Sequence, residues 1–374
     1  MRSRRCAGFE GRKWRPDAFG YQGKRGAPWW CAAGEGVVKV WLSIDGQIID
    51  IYSMEESSMK SLIRKCVLGT VFVAMTTAAS AATFVNVLTG GTSGVYYPLG
   101  VTLSQIYGEI IPDSKVQVQA TKASAENLNL LQAGRGEIGF SLADSVSDAW
   151  KGNADAGFTK PLDKLRAIAS VYPNYIQIVA LADANVKTLA DLKGKRISVG
   201  APRSGTEINA RAILKAAGLS YSDFSKVEYL PFGESVELMK NRQIDVTLQS
   251  AGLGVAALRD LSAAVKVNFV PVPAEVVAKV GDPAYRAAAV PANTYEGQTA
   301  EVPTVAINNL LVTNDKVSEE VAYQMTKGIY DNLERLGNSH SAGRQIQLEK
   351  AIDGLPVPLH PGAEKFYREK GLIK

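Results

Sequence analysis

From about residue 82 to the end, the sequence predicts an α/β fold of two lobes, and three observations predict it. Strand-like and helix-like stretches alternate from residue 83 onward, the order that builds mostly parallel sheets covered by helices. A second series with the same logic begins at Arg196. The apolar run Val302–Val312, after the Gly- and Pro-punctuated stretch 281–303, then reads as a return crossing.

In the first series, Thr83–Leu88 reads as a strand, followed by a Gly-rich turn and an amphipathic helix from about Tyr97 to Ile110. Lys115–Ala120 alternates as a strand and Ala125–Gln132 as a helix. Gly139–Leu142, Leu165–Ser170 and Gln177–Ala182 are three further strands. The second series runs strand ISVG, turn APRSGTE, helix NARAILKAAG, strand VEYLPF, helix SVELMKNR and strand IDVTLQSA. A discontinuous first lobe over 82–180 and 305–374, with a continuous second lobe over 181–304, is expected. The crossings near 175–182 and 302–312 are then the hinge.

The first 81 residues differ in kind from the rest. They hold 12 Lys and Arg against 7 Asp and Glu, whereas residues 82–374 hold 30 of each. The body is therefore formally neutral and gives no charge argument for nucleic acid or an anionic membrane surface. Four of the five Trp and all three Cys (Cys6, Cys31, Cys66) also precede residue 82. A body without cysteine suits an oxidising compartment. MKSLIRKCVLGTVFVAMTTAASAATF, from Met59, has the parts of a secretory signal. Lys60, Arg64 and Lys65 are its positive region, Cys66–Met75 its apolar region, and Ala79-Ser80-Ala81 its cleavage site. The apolar run is too short to span a bilayer. A signal peptide over 59–81, a mature start at Ala82 and a periplasmic location are expected. The 58 preceding residues, in which no sustained period is read, are expected to be a spurious upstream extension, with initiation at Met59.

Catalytic motifs are missing from this sequence. Its only histidines, His340 and His360, belong to no HExxH pattern, and no G-x-S-x-G elbow is present. Gly200-Ala-Pro-Arg-Ser-Gly205-Thr206 has phosphate-loop glycine spacing but Thr206 where the Lys belongs. No enzyme activity, metal or cofactor is expected. What stands out are two strand–turn–helix units with small polar turns, one per lobe: Gly90-Gly91-Thr92-Ser93-Gly94 before Tyr96 and Tyr97, and Arg203-Ser204-Gly205-Thr206-Glu207. Each places backbone N–H groups and hydroxyls at a helix N-terminus, an anion site by geometry and dipole. A carboxylate suits two such turns facing each other; ordinary N-capping is the alternative for either turn alone. Asn127 and Asp144 fall at carboxyl ends of strands, where open sheets bind ligands, although Asp144 also fits a helix cap.

TFVNVLTGGTSGVYYPLG, TKASAENLNLLQAGRGEIGFSLAD, ASVYPNYIQIVA, TLADLKGKRISVGAPRSGTE and LPVPLHPGAEKFYREKG together resemble the TAXI subfamily of TRAP-transporter solute receptors over essentially all of 82–374. The resemblance implies a type II-like two-lobed periplasmic binding protein, monomeric, with its ligand in the cleft between lobes. It implies docking on TRAP membrane permease subunits and a small carboxylate ligand such as glutamate, glutamine or 2-oxoglutarate. A ligand-sensing subunit with the same fold is the alternative. It also implies ligand contacts from Thr92, Ser93, Gly94 and Tyr97 in the first lobe, with Asn127, Asp144 and Tyr172 nearby, and from Ser204, Gly205 and Thr206 in the second. Arg203 departs from the family pattern: it either grips a carboxylate or is a solvated turn residue. His360 reads as a turn residue.

Overall fold

The computed structural model describes residues 29–34, 37–44, 47–55 and 83–374, the first three stretches as backbone only. The chain divides into two compact units, Met1–Ser80 and Ala81–Lys374. In the first, β1 (Trp29–Gly34), β2 (Val37–Ile44) and β3 (Gln47–Glu55) form an antiparallel sheet in the order β1-β2-β3. This corrects the reading of 1–58 as patternless. Val38, Val40, Leu42 and Ile44 recur at every second position of VVKVWLSI, and the β-branched- and aromatic-rich QIIDIYSME follows Asp45-Gly46, a strong hairpin signature. The expected signal segment 59–81 lies outside the described residues.

In the second unit, β4 (Thr83–Leu88), α1 (Tyr96–Ile110), β5 (Ser114–Gln119), α2 (Ser124–Gln132), β6 (Ile138–Leu142) and α3 (Ala143–Lys151) follow one another. The long β7 (Leu165–Leu181) leads to β8 (Arg196–Ser198), α4 (Gly205–Ala216), β9 (Lys226–Glu228), α5 (Phe232–Lys240) and β10 (Val246–Ala251). Then come α6 (Ala256–Ala264), β11 (Val267–Val270), α7 (Ala274–Val280), β12 (Arg286–Val290) and β13 (Val302–Asn314). Three C-terminal helices close the chain: α8 (Glu319–Tyr330), α9 (Leu333–Ser339) and α10 (Pro361–Glu369). Among the described residues no helix is long and apolar enough to cross a membrane.

The strands join in one path, β5-β4-β6-β13-β7-β10-β8-β9, with β11 added to β7 and β12 to β13. Pairing is parallel within β5-β4-β6 and within β10-β8-β9, and antiparallel where β13 and β7 run between them. The α/β fold thus has two lobes joined by two strands. The boundary expected at 180/181 falls at the end of β7, and that at 304/305 falls inside β13.

β6 and β10 are central strands, and every residue in each is buried. Covered on both faces, IGFSL and VTLQSA carry apolar and uncharged polar side chains and no charged one. In β4, Val85 and Val87 pack with Leu99, Leu103 and Ile106 of α1, while Leu88 turns to the opposite face with Leu128 and Leu131 of α2. The C-terminal helices extend the first-lobe core with Met325, Ile329, Phe366 and Tyr367, and the Tyr367 hydroxyl donates to the Ile168 carbonyl at 2.8 Å.

β7 is one strand where two were expected. Pro173, in the gap between those two expected strands, lies opposite Asn308 beside a register shift in the β13 ladder. Proline removes a donor where the ladder is already interrupted, so the strand continues through it.

Candidate ligand-binding cleft

Four strands of the two lobes, β4, β6, β8 and β10, end facing one small cavity of about 90 Å³. It is lined from the first lobe by Gly90, Gly91, Ser93–Tyr96, Thr121–Ser124 and Leu142, from β7 by Asn174, and from the second lobe by Ala201, Ser204–Thr206, Pro231, Phe232, Ser250 and Ala251. The lining includes the N-cap or first residue of each of α1, α2, α3, α4 and α5. Sequence reasoning found two of these five helix ends.

A helix start leaves its first N–H groups without intrahelical acceptors. Only α4 has a side-chain cap among the five: the Ser204 Oγ accepts from the Glu207 N–H at 3.1 Å. The N-cap residues of α1, α2, α3 and α5 are Val95, Ala123, Leu142 and Pro231, and none caps its helix through a side chain. Ordinary capping therefore does not account for these turns. Their donors and their positive dipole ends converge on one space. Lys122, exposed at the rim, is the single charged side chain in the lining. Ser250, 5% exposed, has a buried hydroxyl oxygen with no partner among the described residues. The arrangement suits an anion with several acceptor oxygens.

The cavity floor is rigid. The Tyr96 ring stacks on Phe140 with centroids 4.9 Å apart, and its hydroxyl donates to the Asn309 Oδ1. The Asn309 Nδ2 donates to the Asn174 Oδ1 at 2.7 Å, and the Asn174 Nδ2 donates to the Ser250 carbonyl at 2.8 Å. Burial pushes the Tyr96 phenol far above its ordinary range, so it stays a neutral donor.

Of the residues singled out in the sequence, Ser93, Gly94, Ser204, Gly205 and Thr206 line the cavity. Thr92 is exposed and outside it. Tyr97 is outside as well; the helical phase turns Tyr96 inward instead. Tyr172 is buried beside the cleft rather than in its lining, its hydroxyl without a partner among the described residues. Asn127 is a structural clamp: its Nδ2 donates to the Thr89 and Phe140 carbonyls at 2.7 and 2.8 Å, and its Oδ1 accepts from the Thr121 hydroxyl at 2.7 Å. With every polar atom used, it has nothing to offer a ligand. Asp144 is buried behind the lining. Arg203 sits in the left-handed region (φ 58°) with its side chain in solvent, outside the lining.

Ser124, Lys122, Asn174, Ser250 and the Pro231–Phe232 start of α5 were missed. The first two had a signal, the polar turn Thr121-Lys122-Ala123-Ser124 between a strand and a helix. Pro231–Phe232 carries no such turn composition. The histidines serve the fold: the Nδ1 of His340 accepts from the Ala342 N–H at 3.1 Å, and that of His360 from the Gly362 N–H at 3.2 Å.

The same fold occurs in a solved binding protein, and two others are similar over most of their length. PhnD1 from Prochlorococcus marinus (MIT 9301), in complex with methylphosphonate, matches 78% of this chain and 100% of its own at a TM-score of 0.51 and 11% identity. The alkanesulfonate-binding protein SsuA from Xanthomonas axonopodis pv. citri, bound to MOPS, matches 79% and 96% at 0.45 and 15%. A binding protein component of an ABC phosphonate transporter from Pseudomonas aeruginosa matches 74% and 84% at 0.47 and 10%. The family model that matches this sequence, over residues 87–371, is not that of the TAXI receptors but the NMT1-like family. The TRAP permease partner, and the carboxylate ligand, glutamate included, that both the TAXI resemblance and the two facing turns had suggested, are withdrawn with it. With the match running from within β4 to just past α10, the chain belongs to the NMT1-like family.

Proposed function

We propose that residues 82–374 are the solute receptor of a membrane transporter, and that they hold a small oxyanion of the sulfonate or phosphonate kind between the lobes. The observation that carries this reading is the convergence of five helix N-termini, four without side-chain caps, on a cavity whose one charged lining residue is Lys122. A tetrahedral head with three oxygens can accept from several of these directions at once. Val95, Leu142, Pro231 and Phe232 offer an apolar wall for an organic substituent. The partner we propose is an ABC-type membrane assembly, and the location the periplasm.

Thermal shift and calorimetry with methanesulfonate, methylphosphonate, sulfate, phosphate and glutamate test the ligand class. Stabilisation by a sulfonate or phosphonate above that by glutamate is expected, because a ligand of the folded state raises its melting temperature by mass action. Lys122→Gln should weaken that binding and reduce its salt dependence. Equal or no response across the panel would overturn the reading. N-terminal sequencing of the exported protein checks the location; the expected first residue is Ala82.

A further inference from the structure

We propose that Asp144, Asn209 and Tyr285 form a proton-linked latch between the lobes: closing the cleft buries the Asp144 carboxyl where it takes up a proton, so acidification favours the closed form.

The structure is closed on this side. Asp144 opens α3 in the first lobe, whereas Asn209 lies on α4 and Tyr285 precedes β12, both in the second. The Asp144 Oδ2 accepts from the Asn209 Nδ2 at 2.6 Å and from the Tyr285 hydroxyl at 2.7 Å. Its Oδ1 accepts from the Ser145 N–H at 2.7 Å within its own helix. Two of its three bonds therefore cross the cleft. Beside them, the Arg211 Nη1 donates to the Asp155 carbonyl at 2.7 Å, also from lobe to lobe. Asp144 is 1% exposed and lies outside the cavity lining, so it acts on closure and not by touching ligand.

The charges around the carboxyl are of the wrong sign to hold it ionised. Asp148 on α3 and Asp282 before Tyr285 both repel it. Tyr96 on α1 and Tyr285 are neutral phenols. Arg211 on α4 is occupied by Glu207 at 2.6 Å. Lys151 at the end of α3 bears on Asp148 rather than on Asp144. Burial is the largest cause, and it pushes the carboxyl up from 3.8 to about 6, against the lowering effect of the Tyr285 hydroxyl and the Ser145 N–H.

An open cleft returns Asp144 to water and to its ordinary value. The closed form then binds the proton more tightly, so its advantage grows as pH falls through about 6 and is complete once the open form protonates too. Across the cleft His340 titrates with opposite sign, since burial and Arg259 lower it.

Residues 82–374 contain no cysteine, so two labels can be placed freely once Cys6, Cys31 and Cys66 are changed to Ser. Nitroxides on the exposed Lys160→Cys and Lys215→Cys, one per lobe in the full chain, report the interlobe distance by pulsed EPR. No ligand is needed, so the outcome is independent of the oxyanion reading. Between about pH 7.5 and pH 5 the closed-to-open ratio should rise roughly tenfold. Asp144→Asn should abolish or reverse that rise, and Tyr285→Phe, which removes a donor to the carboxylate, should move its midpoint to higher pH. A distance distribution that ignores pH, or a rise that survives Asp144→Asn, overturns the latch. Should Asp144→Asn not fold, an unmoved midpoint in Tyr285→Phe overturns it equally.

Discussion

Gly205 at the start of α4 and Ser124 at the start of α2 touch across the cleft: a Cβ added to Gly205 would lie 2.5 Å from the Ser124 hydroxyl oxygen and 2.6 Å from the Leu142 Cδ1. Two helix N-termini from different lobes can approach this closely only because a side chain is missing between them. On the other side of the mouth, added Cβ atoms on Gly91 and Gly94 would meet Pro231 and Phe232 at 3.9 Å, ordinary contact. The tight point is at Gly205.

Gly205→Ala should therefore hold the lobes apart while leaving each intact. Overpacking of this kind costs about 1–3 kcal/mol. It should appear as a roughly 5- to 150-fold loss of ligand affinity by calorimetry. The urea midpoint of the ligand-free protein should barely move.

Ser204→Ala combined with Thr206→Ala should weaken anion binding by about 1–3 kcal/mol, the cost of a buried acceptor left unpaired. Because the Ser204 Oγ also caps α4 through the Glu207 N–H, stability should fall by about 1 kcal/mol as well. Denaturation without ligand measures the second effect and calorimetry the first.

Asn127→Ala should behave in the opposite way. It takes the Asn127 donor from the Phe140 carbonyl and one of two side-chain donors from the Thr89 carbonyl, which keeps the Thr121 hydroxyl at 2.8 Å. A buried group left unpaired costs about 1–3 kcal/mol. A large drop in unfolding free energy, with intrinsic affinity kept in the folded fraction, would separate a clamp from a ligand contact.

Ala123 holds φ 69° and ψ −142° at the N-cap of α2 and lines the cavity. That region is essentially glycine's, and an alanine there stores about 1–3 kcal/mol of strain. Ala123→Gly should raise the melting temperature in a thermal scan. A fall would mean that the Ala123 methyl, against the Gly90 turn, matters more than the strain.

Much of the fold was legible because each element carries its own period. TFVNVL alternates and the stretch after it repeats every three to four residues, whatever the rest of the chain does. The Ser204–Thr206 turn was legible for the same local reason. Tyr97 came from the resemblance; Tyr96, one residue earlier and about 100° round the helix, is the one that faces inward. Asn127 and Asp144 were expected at strand ends and stand in the first turns of α2 and α3, but what fills their hydrogen bonds lies up to 141 residues away. No local pattern encodes that. Pro231–Phe232 was missed because its part in the site comes from where the second lobe swings α5, and Asn174 and Ser250 because they join through strands paired only in the folded sheet.

The two crossings have a consequence for how the molecule comes apart. β7 and β13 are not tethers between independent bodies. The second half of β7 is laddered to β10 and β11, its first half to β13, and β13 in turn carries β6 and β12. Melting the second lobe would strip partners from strands that the first lobe is built on. A chain that bends between its halves is in this way forbidden to unfold by halves: hinge motion and cooperative loss of structure share the same two strands.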